Sequence, residues 1–179
     1  MRLVYHYTNG AVIDAILNDG FIKLATAGIK PPERPAAHFS TNPFWDASAN
    51  RGTTVLKKGD YPVGQEFEAN LSKDFEHRPF DAAWMDKHMG RYRIGVLPEA
   101  APHGWRSYVK LARVDPELVK VFEKGELGNP DEWRHSFQPV PSKLWRTVEK
   151  LEHGVWVTHV DLYGGVSGES SEAGRWGRS

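Results

Sequence analysis

The stretch that decides the fold opens the chain. Leu3-Val4-Tyr5-His6-Tyr7-Thr8-Asn9 is followed by Gly10 to Asn18-Asp19-Gly20-Phe21-Ile22, and then, past a proline-rich segment, by His38-Phe39-Ser40-Thr41-Asn42-Pro43-Phe44-Trp45. Leu3-Val4-Tyr5 is apolar and β-favouring, whereas Val12, Ile13, Ile16 and Leu17 fall at helical spacing on one face. Gly20 suits the left-handed position that stops a helix, with Phe21 as the apolar contact behind it. Phe21-Ile22 begins a second extended segment, Pro31-Pro32-Glu33-Arg34-Pro35 reads as an exposed loop, and His38-Phe39-Ser40 returns to the sheet. A histidine between aromatics on one strand, with hydroxyl and aromatic side chains on a neighbouring strand, predicts one pocket holding both His6 and Trp45. Such a pocket suits a flat heteroaromatic ring and a ribose. Asn42-Pro43 reads equally as a turn or cap that starts a helix through Trp45–Ala49.

Further along, Arg51 to Gly64 is polar and glycine-rich, and Arg91-Tyr92-Arg93-Ile94-Gly95-Val96-Leu97 alternates like a strand. Gly104-Trp105 to Leu111-Ala112 is a helix or a strand, and Glu117 to Phe122 has a short helical pattern. Leu144 to Leu151, His153-Gly154 and Val155 to Val160 form a hairpin pattern, in which Trp145, Thr147 and Glu149 alternate against Arg146, Val148 and Lys150. Most of the tryptophans, Trp105, Trp133 and Trp145 among them, are expected in core or hairpin packing. From Gly164 the chain is rich in Gly, Ser and Glu, too polar to bury a core, so residues 1–163 read as one domain and 164–179 as a mobile tail.

The chain has 179 residues, 40% of them hydrophobic and 12% aromatic, enough for one domain with a substantial core. Its formal charge is zero, so a polyanionic partner would need a local patch, for which Lys87, Arg91, Arg93, Arg106, Lys110 and Arg113 are candidates against the alternative of a solvated mixed-charge face. The absence of cysteine excludes disulfides and thiolate metal sites, and the histidines show no HExxH spacing, so no metal is expected. Neither a GxxxxGK loop nor a GxSxG elbow occurs. There is no long apolar span and no signal-peptide core, so the expectation is a cytoplasmic protein without a membrane partner.

Tyr5-His6-Tyr7-Thr8, Ile16-Leu17 with Gly20, and Phe39-Ser40-Thr41-Asn42-Pro43, in that order, resemble the opening of ADP-ribosyltransferase-like proteins. They are most similar to the DarT-type toxins that modify nucleic acid, and the likeness covers about the first third of the chain. RNA 2′-phosphotransferases belong to the same wider fold. The resemblance implies an α+β fold with a split, bent β-core and short flanking helices, using NAD as ADP-ribose donor. It implies His6 on the adenosine-side ribose, Tyr7 and Thr8 beside the nicotinamide, Ser40 in the floor, and Trp45 or Phe44 stacked on the nicotinamide ring. The glycosidic bond breaks through an oxocarbenium-like state, so the protein must chiefly orient the ribose and stabilise positive charge. Glu132 and Gln138 are the two candidates for the late acidic or amide position. A glutamine there could orient a hydroxyl but could not act as a base.

The family's pattern carries an arginine where this chain has Thr41, with Arg51 and Arg34 the nearest alternatives in sequence. That departure keeps a second function in view, a catalytically silent module that binds NAD, ADP-ribose or another nucleotide. A third, an RNA 2′-phosphate-processing enzyme, requires further arginines in the same pocket. The acceptor, whether nucleic acid, protein or small molecule, is left open, because acceptor choice lies in variable loops.

Overall fold

The computed structural model describes residues 2–50, 53–56, 75–78, 81–124 and 128–162. Strand β1 (Val4–Asn9) runs directly into helix α1 (Gly10–Asp19), because the Asn9 side chain caps the helix by accepting from the Ala11 N–H at 3.0 Å. Gly20 stops α1 at φ 73°, its N–H returning to the Ile16 carbonyl at 3.0 Å. Strands β2 (Phe21–Ile22) and β3 (Ala37–Ser40) follow, as the apolar pattern predicts. An antiparallel pair, β4 (Thr53–Leu56) and β5 (Phe75–Arg78), lies within the next segment; Arg51 and most of the polar run to Gly64 fall outside the described residues, as do 163–179.

The second half adds α2 (Ala82–His88), β6 (Arg91–Val96), β7 (His103–Gly104), α3 (Trp105–Ala112), α4 (Pro116–Glu123), β8 (Trp133–Ser136), β9 (Val140–Pro141), β10 (Trp145–Glu152) and β11 (Val155–Val160). Gly104–Ala112, open between helix and strand in sequence, is resolved as helix from Trp105. Among the described residues the main sheet has the order β11-β10-β6-β1-β3-β8-β7, with every pair antiparallel. The result is an α+β fold.

Two packed clusters hold it. Val4, Ile94, Val96 and Val148 meet Ile13 and Ile16 of α1, and Leu17 packs against them, whereas Val12, read from sequence as part of the same face, is exposed. Trp105, Tyr108, Ala112 and Val114 pack with Trp133, and Phe122 of α4 covers them. The turn of the β10–β11 hairpin is His153-Gly154, both at positive φ (51° and 82°), which matches the right-handed twist of the flanking strands.

The alternation predicted for β10 is corrected at one point. A register shift between Trp145 and Thr147 makes Arg146 an extra residue, so that Trp145 (3% exposed) and Val148 (0%) both enter the core. Thr147 and Glu149 then face the other side of the sheet, opposite Gly95 and Arg93.

Gly10, the first residue of α1, sits against the Met89 carbonyl so closely that an added Cβ would overlap backbone. Gly10→Ala should therefore lower stability by about 2–3 kcal/mol, read as a shift of the urea midpoint.

Candidate functional site

β1 is in register with β6 over Val4–Asn9 and β3 with β8 over Ala37–Ser40, yet β1 and β3 pair only at Tyr5 opposite Ser40. Beyond that pair they diverge. The His6 ring crosses the gap, its Nδ1 lying 2.9 Å from the His38 carbonyl oxygen. A carbonyl can only accept, so the ring donates from Nδ1. A cavity of about 280 Å³ fills the divergence, lined along one wall by His6, Tyr7 and Thr8 and along the other by Ser40, Trp45 and Asp46. His6 and Trp45 both line this cavity, but the expectation also required both side chains on one face of the sheet, and that part is not met. They do not approach it from one face of β1, since strand alternation turns His6 and Tyr7 to opposite sides and Trp45 packs on Tyr7, ring centroids 5.1 Å apart.

The Asn42-Pro43-Phe44 segment does not start a helix. The Asn42 side chain instead accepts from the Phe44 N–H at 3.0 Å, and one 3₁₀ turn forms later, at Ala47–Ala49. The cause is that three successive carbonyls are taken by side chains of three strands. Tyr7 donates its hydroxyl to the Asn42 carbonyl, Arg93 donates to Pro43, and Trp156 Nε1 donates to Phe44 at 2.9 Å. Arg93 is 8% exposed, is forked onto Glu149 (2.7 and 3.1 Å), and lies over the rings of Tyr5 (4.3 Å) and Trp156 (4.4 Å). Burial pushes the Tyr7 hydroxyl well above its usual pKa, against an opposing pull from Arg93, so it remains a donor.

The clamp settles where the other sequence candidates lie. Ser40 is buried in the cavity wall, its Oγ accepting from the Asn42 N–H at 3.1 Å. Phe44 is 77% exposed, so Trp45 is the aromatic of that pair that lines the cavity. Glu132 does not reach it. It lines a separate cavity with Arg2, Thr41 and Arg134, on the far side of the Tyr5–Ser40 pair, where the Thr41 N–H donates to its carbonyl at 2.8 Å. Gln138 lines neither cavity and sits in the turn after β8, its carbonyl accepting from Ser136 Oγ at 2.8 Å. Arg34 lies over the Phe137 ring at 4.5 Å, away from the cleft, and Arg51 is outside the described residues. Of the candidate basic patch, Arg91 and Arg93 are committed to Asp86 and Glu149.

Sequence reading passed over three residues that organise the site. Arg93 and Glu149 carry no local signal, because their pairing across β6 and β10 exists only in the folded sheet. Asp46 had one: an aspartate just before Ala47-Ser48-Ala49 is a cap signature, and its Oδ1 accepts from the Ser48 N–H at 2.8 Å. The same oxygen accepts from Trp133 Nε1 at 3.3 Å.

Behind the β3 wall lies a second cavity of about 330 Å³, which shares His38, Phe39, Ala25 and Ser48 with the first and is otherwise lined by aromatic rings, Trp105, Trp133 and Tyr108 among them, by aliphatic residues and by Glu33. His135 stacks flat on Tyr108, centroids 3.8 Å apart, and is 2% exposed. Burial, with the adjacent His38, pulls its pKa down to about 3. Burial, with the Glu33 carboxylate adding to it, pushes the Tyr108 hydroxyl up to about 12.

Among the described residues no group of His, Asp and Glu is placed to hold a metal ion, and no helix is long and apolar enough to cross a membrane. No family model matches the chain, and neither a curated protein nor a solved structure matches it.

Glu149→Ala leaves the Arg93 guanidinium buried without its carboxylate and should cost about 3–5 kcal/mol in urea unfolding. His135 adds a pH dependence. Its unfolded pKa of 6.5 falls to about 3 in the fold. Between those values the unfolded chain binds the extra proton. The stability tied to the neutral ring is therefore complete above pH 6.5 and is lost as pH falls toward 3. Between pH 7 and pH 5 that amounts to about 2 kcal/mol, and His135→Phe, which keeps a ring on Tyr108, should remove this part of the loss.

Proposed function

We propose that the cleft between β1 and β3 binds NAD and that the protein transfers ADP-ribose from it to a macromolecular acceptor, a nucleic acid or a protein. The observation that carries this reading is the convergence of His6, Tyr7, Thr8, Ser40 and Trp45 on one cavity, although the first and last are 39 positions apart in sequence. Its volume lies at the lower end of ligand cavities, and its walls mix aromatic surface with a few polar groups, as a nucleoside requires. The single Tyr5–Ser40 link between two half-sheets supports an ADP-ribosyltransferase-like split core.

In this reading His6 and Thr8 hold ribose and amide groups, Trp45 covers the nicotinamide face, and the Tyr7–Arg93–Trp156 clamp keeps Trp45 in place. Water is displaced when the ring enters, which strengthens every polar contact inside. A second reading, the silent binding module, is favoured by one observation: neither Glu132 nor Gln138 lines the cleft. The 2′-phosphate-processing reading has less support, since no arginine is among the described residues of the cavity wall.

Incubation with NAD labelled on the adenylate, with and without a cell lysate, separates them. Release of nicotinamide with label on nucleic acid or protein selects the transferase, binding without turnover selects the module, and no binding removes the NAD reading. His6→Ala should weaken NAD binding about tenfold, the value of one hydrogen bond, by calorimetry. Glu132→Ala and Gln138→Ala should leave that affinity within about twofold.

A further inference from the structure

We infer that Asp46 is the group by which the cleft grips its ligand, its Oδ2 accepting a hydrogen bond from a hydroxyl of a ribose-like diol. The inference rests on the nucleotide reading of the cavity and names a residue that the opening motif does not predict. Asp46 is 2% exposed and lines the cleft beside Trp45. Its Oδ1 is satisfied by the Ser48 N–H and the Trp133 indole, whereas Oδ2 is buried with no hydrogen-bond partner among the described residues. A buried carboxylate oxygen without a donor is costly, and folded proteins rarely retain one without a use.

Capping the 3₁₀ turn does not account for it. That task uses Oδ1 alone, and Ser or Asn performs it equally well. Nor, among the described residues of the wall, does a cation neutralise the carboxylate: Lys23, which lines the cavity, is 2.6 Å from Asp19. Burial chiefly raises the Tyr7 hydroxyl, and the nearby Asp46 carboxylate adds to it. The surroundings hold the side chain in position. Gly128, at φ +117°, lets its backbone lie close enough that an added Cβ would be 3.1 Å from Asp46 Oδ1. Among the described residues of the cavity wall, Asp46 is the carboxylate. A vicinal diol offers a neutral donor of the kind Oδ2 lacks, and such bonds to a charged acceptor are the stronger ones.

Asp46→Asn tests this, because the amide oxygen keeps both Oδ1 contacts while an NH₂ replaces Oδ2. Calorimetry should show NAD binding weakened about ten- to a hundredfold, the range for a charge-assisted hydrogen bond. The unfolding temperature should not fall, since the variant removes a buried charge. NAD lacking the 2-hydroxyl of one ribose or the other identifies the diol: the analogue that lost the bonded hydroxyl should bind wild type and Asp46→Asn alike. Asp46→Ser, which keeps the cap through Oγ, repeats the comparison should the amide variant fold poorly. Unchanged NAD affinity in both variants, or lowered stability with unchanged affinity, would overturn the assignment to Asp46 while the NAD reading stands. Failure of the wild type to bind NAD removes both.

Discussion

Arg93 is the constraint on which the arrangement of the cleft depends. Its guanidinium is buried between two aromatic rings, forked onto Glu149 and bonded to the Pro43 carbonyl. A buried cation of this kind is tolerable only with its donors satisfied, so the positions of β10 and of the Asn42–Phe44 segment are tied to that of β6. Tyr7 and Trp156 hold the carbonyls on either side. Because the segment is fixed at three consecutive residues, Trp45 and Asp46, which follow it directly, have little freedom. Arg93 therefore positions the cavity wall and does not line it.

The cavity itself follows from an interrupted sheet. A regular β1–β3 ladder would close the space between Tyr7 and His38 with backbone hydrogen bonds, leaving no room for a ligand. Divergence after the Tyr5–Ser40 pair opens it, and the His6 ring supplies a bond to the His38 carbonyl in place of the ladder. The same pair is a partition. It separates the cleft from the cavity holding Glu132, which is why an acidic residue near Thr41 in space does not share a cavity with His6.

Much of the scaffold was legible in local patterns. Asn9 and Gly20 bound α1, Ile13 and Ile16 are its buried face, Arg91–Val96 is a strand, and His153-Gly154 turns the last hairpin. These are readable because caps, positive-φ turns and side-chain periodicity act within a few residues. The bulge at Arg146 was not, since its register is set by β6 across the sheet and no residue type announces it. The helix read from Asn42-Pro43 through Trp45–Ala49 shrinks to a 3₁₀ turn at Ala47–Ala49 for a similar reason: the carbonyls that a helix from Asn42 would use are claimed by Tyr7, Arg93 and Trp156, 35 to 112 positions away.

By itself the sequence determined an opening strand, a helix and a returning strand that bring a histidine, hydroxyls and a tryptophan into one neighbourhood. That much rests on short-range preferences and the burial of apolar faces. Tertiary structure alone decided which carboxylate meets the cavity, putting Asp46 in its wall and Glu132 behind a partition. It also decided which arginine organises the site. Both depend on where strands diverge and on which buried charges find partners, and those are properties of the assembled sheet.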